Sequence, residues 1–258
     1  MTTDIDVLLR LATELAESAG AYLLAGQHQP RTNVESKSTA TDLVSEMDRN
    51  AESMITTGIL AARPNDGLIG EEGANRPSTS GISWAIDPLD GTVNYLYGWP
   101  LWAVSIAATD ADGSVAGAVV IPAIAEIYTA ARGRGAWCNG KPISVSKQSE
   151  LAMSLVATGF AYARDTRARQ ADTVRGLLPE VRDIRRGGAA AVDLCFVASG
   201  RLEGYYEHGT HIWDRAAGAL CVTEAGGVVS NGRGASHGDD MCVASTSEIH
   251  AQLCALIV

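Results

Sequence analysis

The chain has 258 residues, of which 46% are hydrophobic and 19% charged; such proportions suit a folded protein with a sizeable core and exclude a disordered one. Its formal net charge of −10 argues against non-specific binding to nucleic acid or to an anionic membrane surface, both of which need a basic face. An acidic protein that takes up phosphate must supply local positive charge, and a bound cation would do so.

The N-terminal residues Met1 to Asp6 show no basic stretch leading into an apolar one, so no signal peptide is expected. No apolar run approaches the roughly 20 residues that span a bilayer. Cys138, Cys195, Cys221, Cys242 and Cys254 lie apart with no Cys-x-x-Cys pair. An odd, scattered set points to reduced thiols in a cytoplasm, not to a disulfide frame or a zinc site. The length fits a single domain, 1–258, of two closely packed lobes, approximately 1–145 and 146–258.

In chain order, Ile5, Leu8, Leu9, Ala12, Leu15, Ala16, Ala19 and Leu23 recur at helical spacing, and Gly26 can end that helix. A polar stretch containing Lys37 follows to about Thr41. Asp42 can cap a second helix through Leu43, Met47, Ala51, Met54 and Ile55 toward Pro64. Asp48 falls one step off its apolar stripe, where an aspartate is usually just solvated. The adjacent acids Glu71 and Glu72 follow an apolar pair, Leu68-Ile69. On a strand end they point opposite ways, so only one can face a given site. Residues 75–81 read as a polar surface loop.

Trp84-Ala85-Ile86 then reads as a buried strand. It is expected to stop at Asp87-Pro88, since proline fixes its own φ and restricts the residue before it. Asp87 and Asp90 fall in one short turn and can point to the same side, where two anions repel unless a cation lies between them or one is protonated. Mg²⁺ binds through a few carboxylates plus phosphate oxygens and water. Gly91 lets the backbone approach a ligand, and Thr92 can open a helix whose free N–H groups face an anion. Cation, phosphate and hydroxyl are brought to one point, which describes a phosphate-ester hydrolysis site. The plainer alternative is a strand ending in an Asx/Pro turn.

Residues 101–109 and 117–121 read as buried strands, and 126–131 can pair with 135–138. Asn139-Gly140 is a turn signal, and 155–158 is a further strand. Seven arginines between positions 164 and 186 form a basic stretch. They make a solvated helix face, a subunit interface or a lip that attracts anionic substrate. Gly187 and Gly188 precede an Ala-rich helix at 189–198, whose N-terminus can hold an anionic or hydroxyl group or simply permit tight packing. Residues 205–209 read as a strand into a turn, and His208 and His211 lack the companions that zinc needs. Asp214 suits the cap or first turn of another small-residue helix. Residues 241–244 form the last strand, and Ser245 with Glu248 suits a capping box for a C-terminal helix.

Trp84-x-Ile86 followed by Asp87-Pro88-Leu89-Asp90-Gly91-Thr92 resembles the first signature of the inositol monophosphatase family, lithium-sensitive, Mg²⁺-dependent phosphomonoesterases. The segment from Lys37 to Asp48 is similar to the family's Lys-Ser…Asp-x-Val-Thr-x-x-Asp, with Ser45 where threonine is usual. Gly70-Glu71-Glu72 resembles its Gly-Glu-Glu, and the run from Arg185 to Leu194 its Arg-x-x-Gly-Ser/Thr-Ala-Ala segment. Trp213-Asp214-Arg215-Ala216-Ala217-Gly218 resembles its second signature.

The resemblance implies an α/β (α+β layered) fold of alternating helix and sheet layers, an αβαβα sandwich, commonly a homodimer. It implies two or three Mg²⁺ ions held by Glu71, Asp87, Asp90, Asp214 and the carbonyl of Leu89. Asp48 and Thr92, hydrogen-bonded together, would orient the attacking water with help from Glu71. Asp90, Gly91, Thr92 and Asp214 would surround the phosphate, and Gly188, Ala189, Ala190 and Glu207 would face the alcohol half. Ala189 stands where serine or threonine is usual, leaving only backbone N–H groups there. The implied reaction is hydrolysis of myo-inositol monophosphate. The alternatives are the same chemistry on histidinol phosphate, fructose 1,6-bisphosphate or 3′-phosphoadenosine 5′-phosphate, or a non-catalytic binding protein on this scaffold.

Overall fold

The computed structural model describes residues 4–27, 35–36, 43–44, 46–233, 238 and 240–258. Helix α1 (Ile5–Gly26) opens on Asp4, whose carboxylate accepts from Asp6 N, and buries Leu8, Ala12, Ala16, Ala19 and Leu23 on one stripe. Two short strands, β1 (Glu35–Ser36) and β2 (Leu43–Val44), pair antiparallel. Leu43 therefore belongs to a strand and not to the expected second helix, because ladder pairing competes for its backbone. Helix α2 starts later (Glu46–Ala62), and the expected cap Asp42 lies outside the described residues, as do Lys37, Thr41 and Ser45.

An eight-stranded sheet follows: β3 (Gly67–Gly70), β4 (Asn75–Arg76), β5 (Ser83–Asp90), β6 (Ala103–Asp110), β7 (Gly113–Ile121), β8 (Glu126–Ala131), β9 (Gly135–Cys138) and β10 (Lys141–Pro142). Its order is β10-β9-β8-β7-β6-β5-β3-β4, with β3 and β5 the parallel pair. The β8–β9 pairing agrees with the sequence reading, whereas 75–81 is not all loop, since β4 lies on the edge. Helix α3 (Thr92–Tyr97) links β5 to β6.

A second sheet has the order β12-β11-β13-β15-β14, from β11 (Leu155–Thr158), β12 (Asp183–Arg185), β13 (Gly204–His208), β14 (Val228–Ser230) and β15 (Met241–Ser245). Helices α4 (Arg164–Leu177), α5 (Ala190–Ala198), α6 (Ile212–Glu224) and α7 (Ser247–Ile257) complete the chain. Thr246, not Ser245, caps α7; Ser245 is the last residue of its strand, and its hydroxyl donates to the Thr246 carbonyl.

Five layers result. Helices α1 and α2 cover one face of the large sheet, α5 and α6 lie between the two sheets, and α4 and α7 cover the outer face of the small one. Small residues set the spacing: Gly117 on β7 sits against Ala217 of α6, and Gly218 against Leu194 of α5. A bulkier side chain at either glycine would push α6, and the acid near its N-terminus, off the sheet. Among the described residues, no helix is long and apolar enough to cross a membrane.

Candidate active site

Strand β5 does not end at Asp87-Pro88. It runs to Asp90 with a register shift between Asp87 and Asp90. A bulge tolerates proline because the ladder is already interrupted there and no N–H is missed. Within the bulge the Asp87 carboxylate accepts from Leu89 N (3.0 Å). Gly91 turns the chain at φ 85°, and a Cβ there would crowd Ala189 and the Leu101 carbonyl. Only glycine meets both demands.

Other elements bring further acids to this point. Glu71 leaves the end of β3 with its N–H on the Ile86 carbonyl (3.2 Å). Buried Glu52 of α2 accepts from Glu72 N (2.8 Å) and Ala74 N (2.9 Å), which shapes that turn. Of the two adjacent acids, Glu71 lines the cavity and Glu72 does not. Glu207, on β13, accepts from the Tyr205 hydroxyl (2.9 Å) and lies across Gly159. Asp214 occupies the first turn of α6, in a capping box where His211 N donates to its carboxylate (2.6 Å).

Glu71, Asp87, Asp90, Glu207 and Asp214 all line one cavity of about 610 Å³, together with Leu89, Gly91, Thr92, Gly188, Ala190 and Arg186, the one Lys or Arg among the described lining residues. Burial pushes Asp87 well above the usual carboxylate range, and the charges of Glu71, Asp90, Asp214 and Asp48 add to the rise. Asp90 is raised by burial and by Asp214. Burial likewise raises Asp214, to about 7. These acids cannot all be ionised in so little water without a compensating cation. The donors are all oxygen, a set that suits a hard divalent ion over zinc or copper. Among the described residues, no three His, Cys, Asp or Glu side chains are drawn together as a finished metal cage; the acids face one space from several walls.

Three placements differ from expectation. Asp48 is fully buried on α2 and not solvated, and its charge acts on Asp87. The Thr92 hydroxyl donates to the Leu89 carbonyl (3.1 Å), the acceptor three residues back, and not to Asp48. The Ala190 N–H, expected to face the alcohol half, donates instead to Asp90 (3.2 Å), as does that of Ala191 (2.7 Å). Ala189 caps α5 with no side-chain acceptor of its own, so the carboxylate of Asp90 supplies the missing cap. Ala189 itself is buried against Gly91 and does not line the cavity. Asp193, 2% exposed on α5 and facing Arg186 and Glu207, went unnoticed in the sequence. An aspartate amid Ala-Ala-Val-x-Leu is the signal that marks it.

A profile of the inositol monophosphatase family matches residues 4–258. The inositol-1-monophosphatase SuhB of Mycobacterium tuberculosis is 43% identical over 202 residues, covering 75% of this chain and 70% of its own length. The Nus factor SuhB of Xylella fastidiosa is 40% identical over 229 residues, covering 88% and 82%. The crystal structure of the extragenic suppressor protein suhB from Bartonella henselae superposes with a TM-score of 0.91 at 35% identity, covering 97% of this chain and 98% of that one. By profile, relatives and fold alike, this chain belongs to the inositol monophosphatase family, phosphoric monoester hydrolases that are generally metal-dependent.

Proposed function

We propose that the protein hydrolyses a small phosphate monoester, myo-inositol monophosphate foremost, with Mg²⁺ as its metal. The observation that carries this reading is the convergence of Glu71, Asp87, Asp90 and Asp214, from three separate parts of the chain, on one cavity beside Gly91 and Thr92. Two or three Mg²⁺ ions, held by these four acids and the Leu89 carbonyl, would neutralise phosphate charge and lower the pKa of the attacking water.

The chain's own residues do the rest. The backbone at Gly91 and Thr92 holds phosphate oxygens at the start of α3. The Thr92 oxygen, donating to Leu89, keeps lone pairs with which to orient the water. Glu71 on the cavity wall takes its proton, while buried Asp48 acts from behind through Asp87. Glu207, steadied by Tyr205, accepts from hydroxyls of the alcohol half, with Gly188 beside it. The same reading makes the protein a cytoplasmic homodimer without nucleic-acid or membrane partners.

Phosphate release from a panel of phosphomonoesters, with and without Mg²⁺, tests this. Myo-inositol monophosphate should be turned over only with the metal, and millimolar lithium should inhibit. Turnover confined to histidinol phosphate, fructose 1,6-bisphosphate or 3′-phosphoadenosine 5′-phosphate would replace the substrate but keep the chemistry. No release from any ester would favour a second reading, the Nus factor role named for the Xylella relative.

A further inference from the structure

Helix α3 begins at Thr92 on the cavity wall, and Arg186 and Gly188 line the same cavity, with the charge of Arg186 acting on Glu207. The chain segment carrying Arg186 to Gly188 is joined to α3 through one side chain. Asn94, two residues beyond Thr92, donates through Nδ2 to the Gly187 carbonyl (2.9 Å) and to the Leu101 carbonyl. Both partners are acceptors, so the amide can be oriented only one way.

On the other side of the same peptide lies Asp193 of α5. A Cβ at Gly187 would collide with its carboxylate. Burial pushes that carboxyl up to about 8, Glu207 adds to the rise, and Arg186 and the Gly187 N–H oppose it. Gly188, at φ 92°, is packed so closely by Arg186 and by the Asn94 amide that no side chain fits. Gly187 is thus held at its carbonyl from α3, with the Asp193 carboxylate of α5 packed against the same residue. Neither Asn94 nor Asp193 lines the cavity.

We propose that Asn94 and Asp193 are positioning residues that clamp the Gly187 peptide and thereby fix the wall against which the substrate's alcohol half is read. The proposal rests on the phosphomonoesterase function above. It assigns the clamp to alcohol recognition and not to phosphoryl chemistry, because the held residue lies next to Arg186, whose charge acts on Glu207, the proposed acceptor of the alcohol's hydroxyls.

The test compares kcat and KM on myo-inositol 1-phosphate and on p-nitrophenyl phosphate, which has no hydroxyls to read, at saturating Mg²⁺. Asn94→Ala and Asp193→Ala should raise KM for the inositol ester about tenfold, with p-nitrophenyl phosphate kinetics held within about twofold. Asp193→Asn keeps an oxygen for the Gly187 N–H and should return to near wild-type values. Asn94→Asp aims a carboxylate at two carbonyls and should be no better than alanine.

Equal losses on both esters in a folded variant, or no loss on either, would overturn the proposal. If wild type cleaves p-nitrophenyl phosphate but not the inositol ester, the substrate reading fails on its own; the clamp is then judged by the same ratio on the best alcohol ester of the panel. Should Asp193→Ala not fold, the Asn94 pair and Asp193→Asn decide.

Discussion

Strand β5 meets a buried aspartate near its start and carries two at its end, and the two environments have opposite signs. Near the start, the Trp84 indole donates to Asp66 (2.9 Å), which also accepts from Ser80 (2.6 Å) and from the Arg63 guanidinium (3.1 Å through Nη2, with a second bond from Nε). At the other end stand Asp87 and Asp90, faced by further acids. Asp66 and Asp87 are equally shut off from solvent, each 1% exposed, although Asp87 lies deeper; the opposite signs come from their partners. Burial raises Asp66 too, but the bonds from Arg63, Ser80 and Trp84 outweigh it and hold the carboxyl below its usual range. At Asp87 the Leu89 N–H does not offset burial and the charges of Glu71, Asp90, Asp214 and Asp48. One acid is satisfied by donors of the fold; the others face like charges, the kind of perturbed group that marks a candidate functional site.

The largest effect should come from breaking the like-charged end. Asp90→Asn removes a proposed metal donor and should cut Mg²⁺-dependent turnover by about a thousandfold, with the fold intact because an amide oxygen can still cap α5. Because the lost charge is one that its neighbours repel, the metal-free variant should melt no lower than wild type. Mg²⁺, which stabilises by binding the native state, should raise the melting temperature of wild type well beyond that of the variant. A folded Asp90→Asn enzyme with wild-type turnover would remove Asp90 from the chemistry.

Breaking the satisfied end should cost stability and leave chemistry alone. Asp66→Ala strands a guanidinium and an indole N–H and should destabilise by about 3 kcal/mol, read as a shift in the denaturant midpoint, with kcat unchanged in the folded protein. An equal loss of kcat would mean that the two ends of β5 are coupled.

The contrast between the ends also marks what the sequence can and cannot reveal. The pairing of Asp87 with Asp90 was legible because a short Asp-x-x-Asp-Gly turn is a local fact; strand alternation said only that one of Glu71 and Glu72 can face the site, and the family resemblance pointed to Glu71. Helix α1 was legible from periodic apolar residues such as Leu8, Ala12 and Ala16, whereas the layered fold came from the family resemblance. Asp90 capping α5 was not, since donor and acceptor lie 100 residues apart. Nor was the passage of β5 through Pro88, which depends on a bulge set by its neighbour β6. The role of Asp66 carries no local sequence signal, because Arg63, Ser80 and Trp84 converge on it only in three dimensions.

Acid should expose the sign of Asp66. Its folded value lies below that of the unfolded chain, about 3.9, so its stabilisation is complete above that pH and disappears as pH falls through the lower folded value. Wild type should therefore lose midpoint stability below about pH 4 more steeply than Asp66→Asn, whose side chain does not titrate. Parallel curves for the two proteins would show that the carboxylate adds nothing beyond an amide.

The smallest effect sharpens the comparison most. Trp84→Phe deletes one neutral donor from Asp66 while keeping most of the buried ring, and should cost about 1 kcal/mol. Arg63 and Ser80 still hold the carboxylate, so the acid limb of the stability curve should shift to slightly higher pH without vanishing. Trp84 also pairs across to Ala108 near the start of the same strand, three residues from Asp87 and on the opposite face of the sheet. If the two ends are independent, Mg²⁺-dependent turnover in Trp84→Phe will match wild type even though β5 supplies two of the four proposed carboxylate donors.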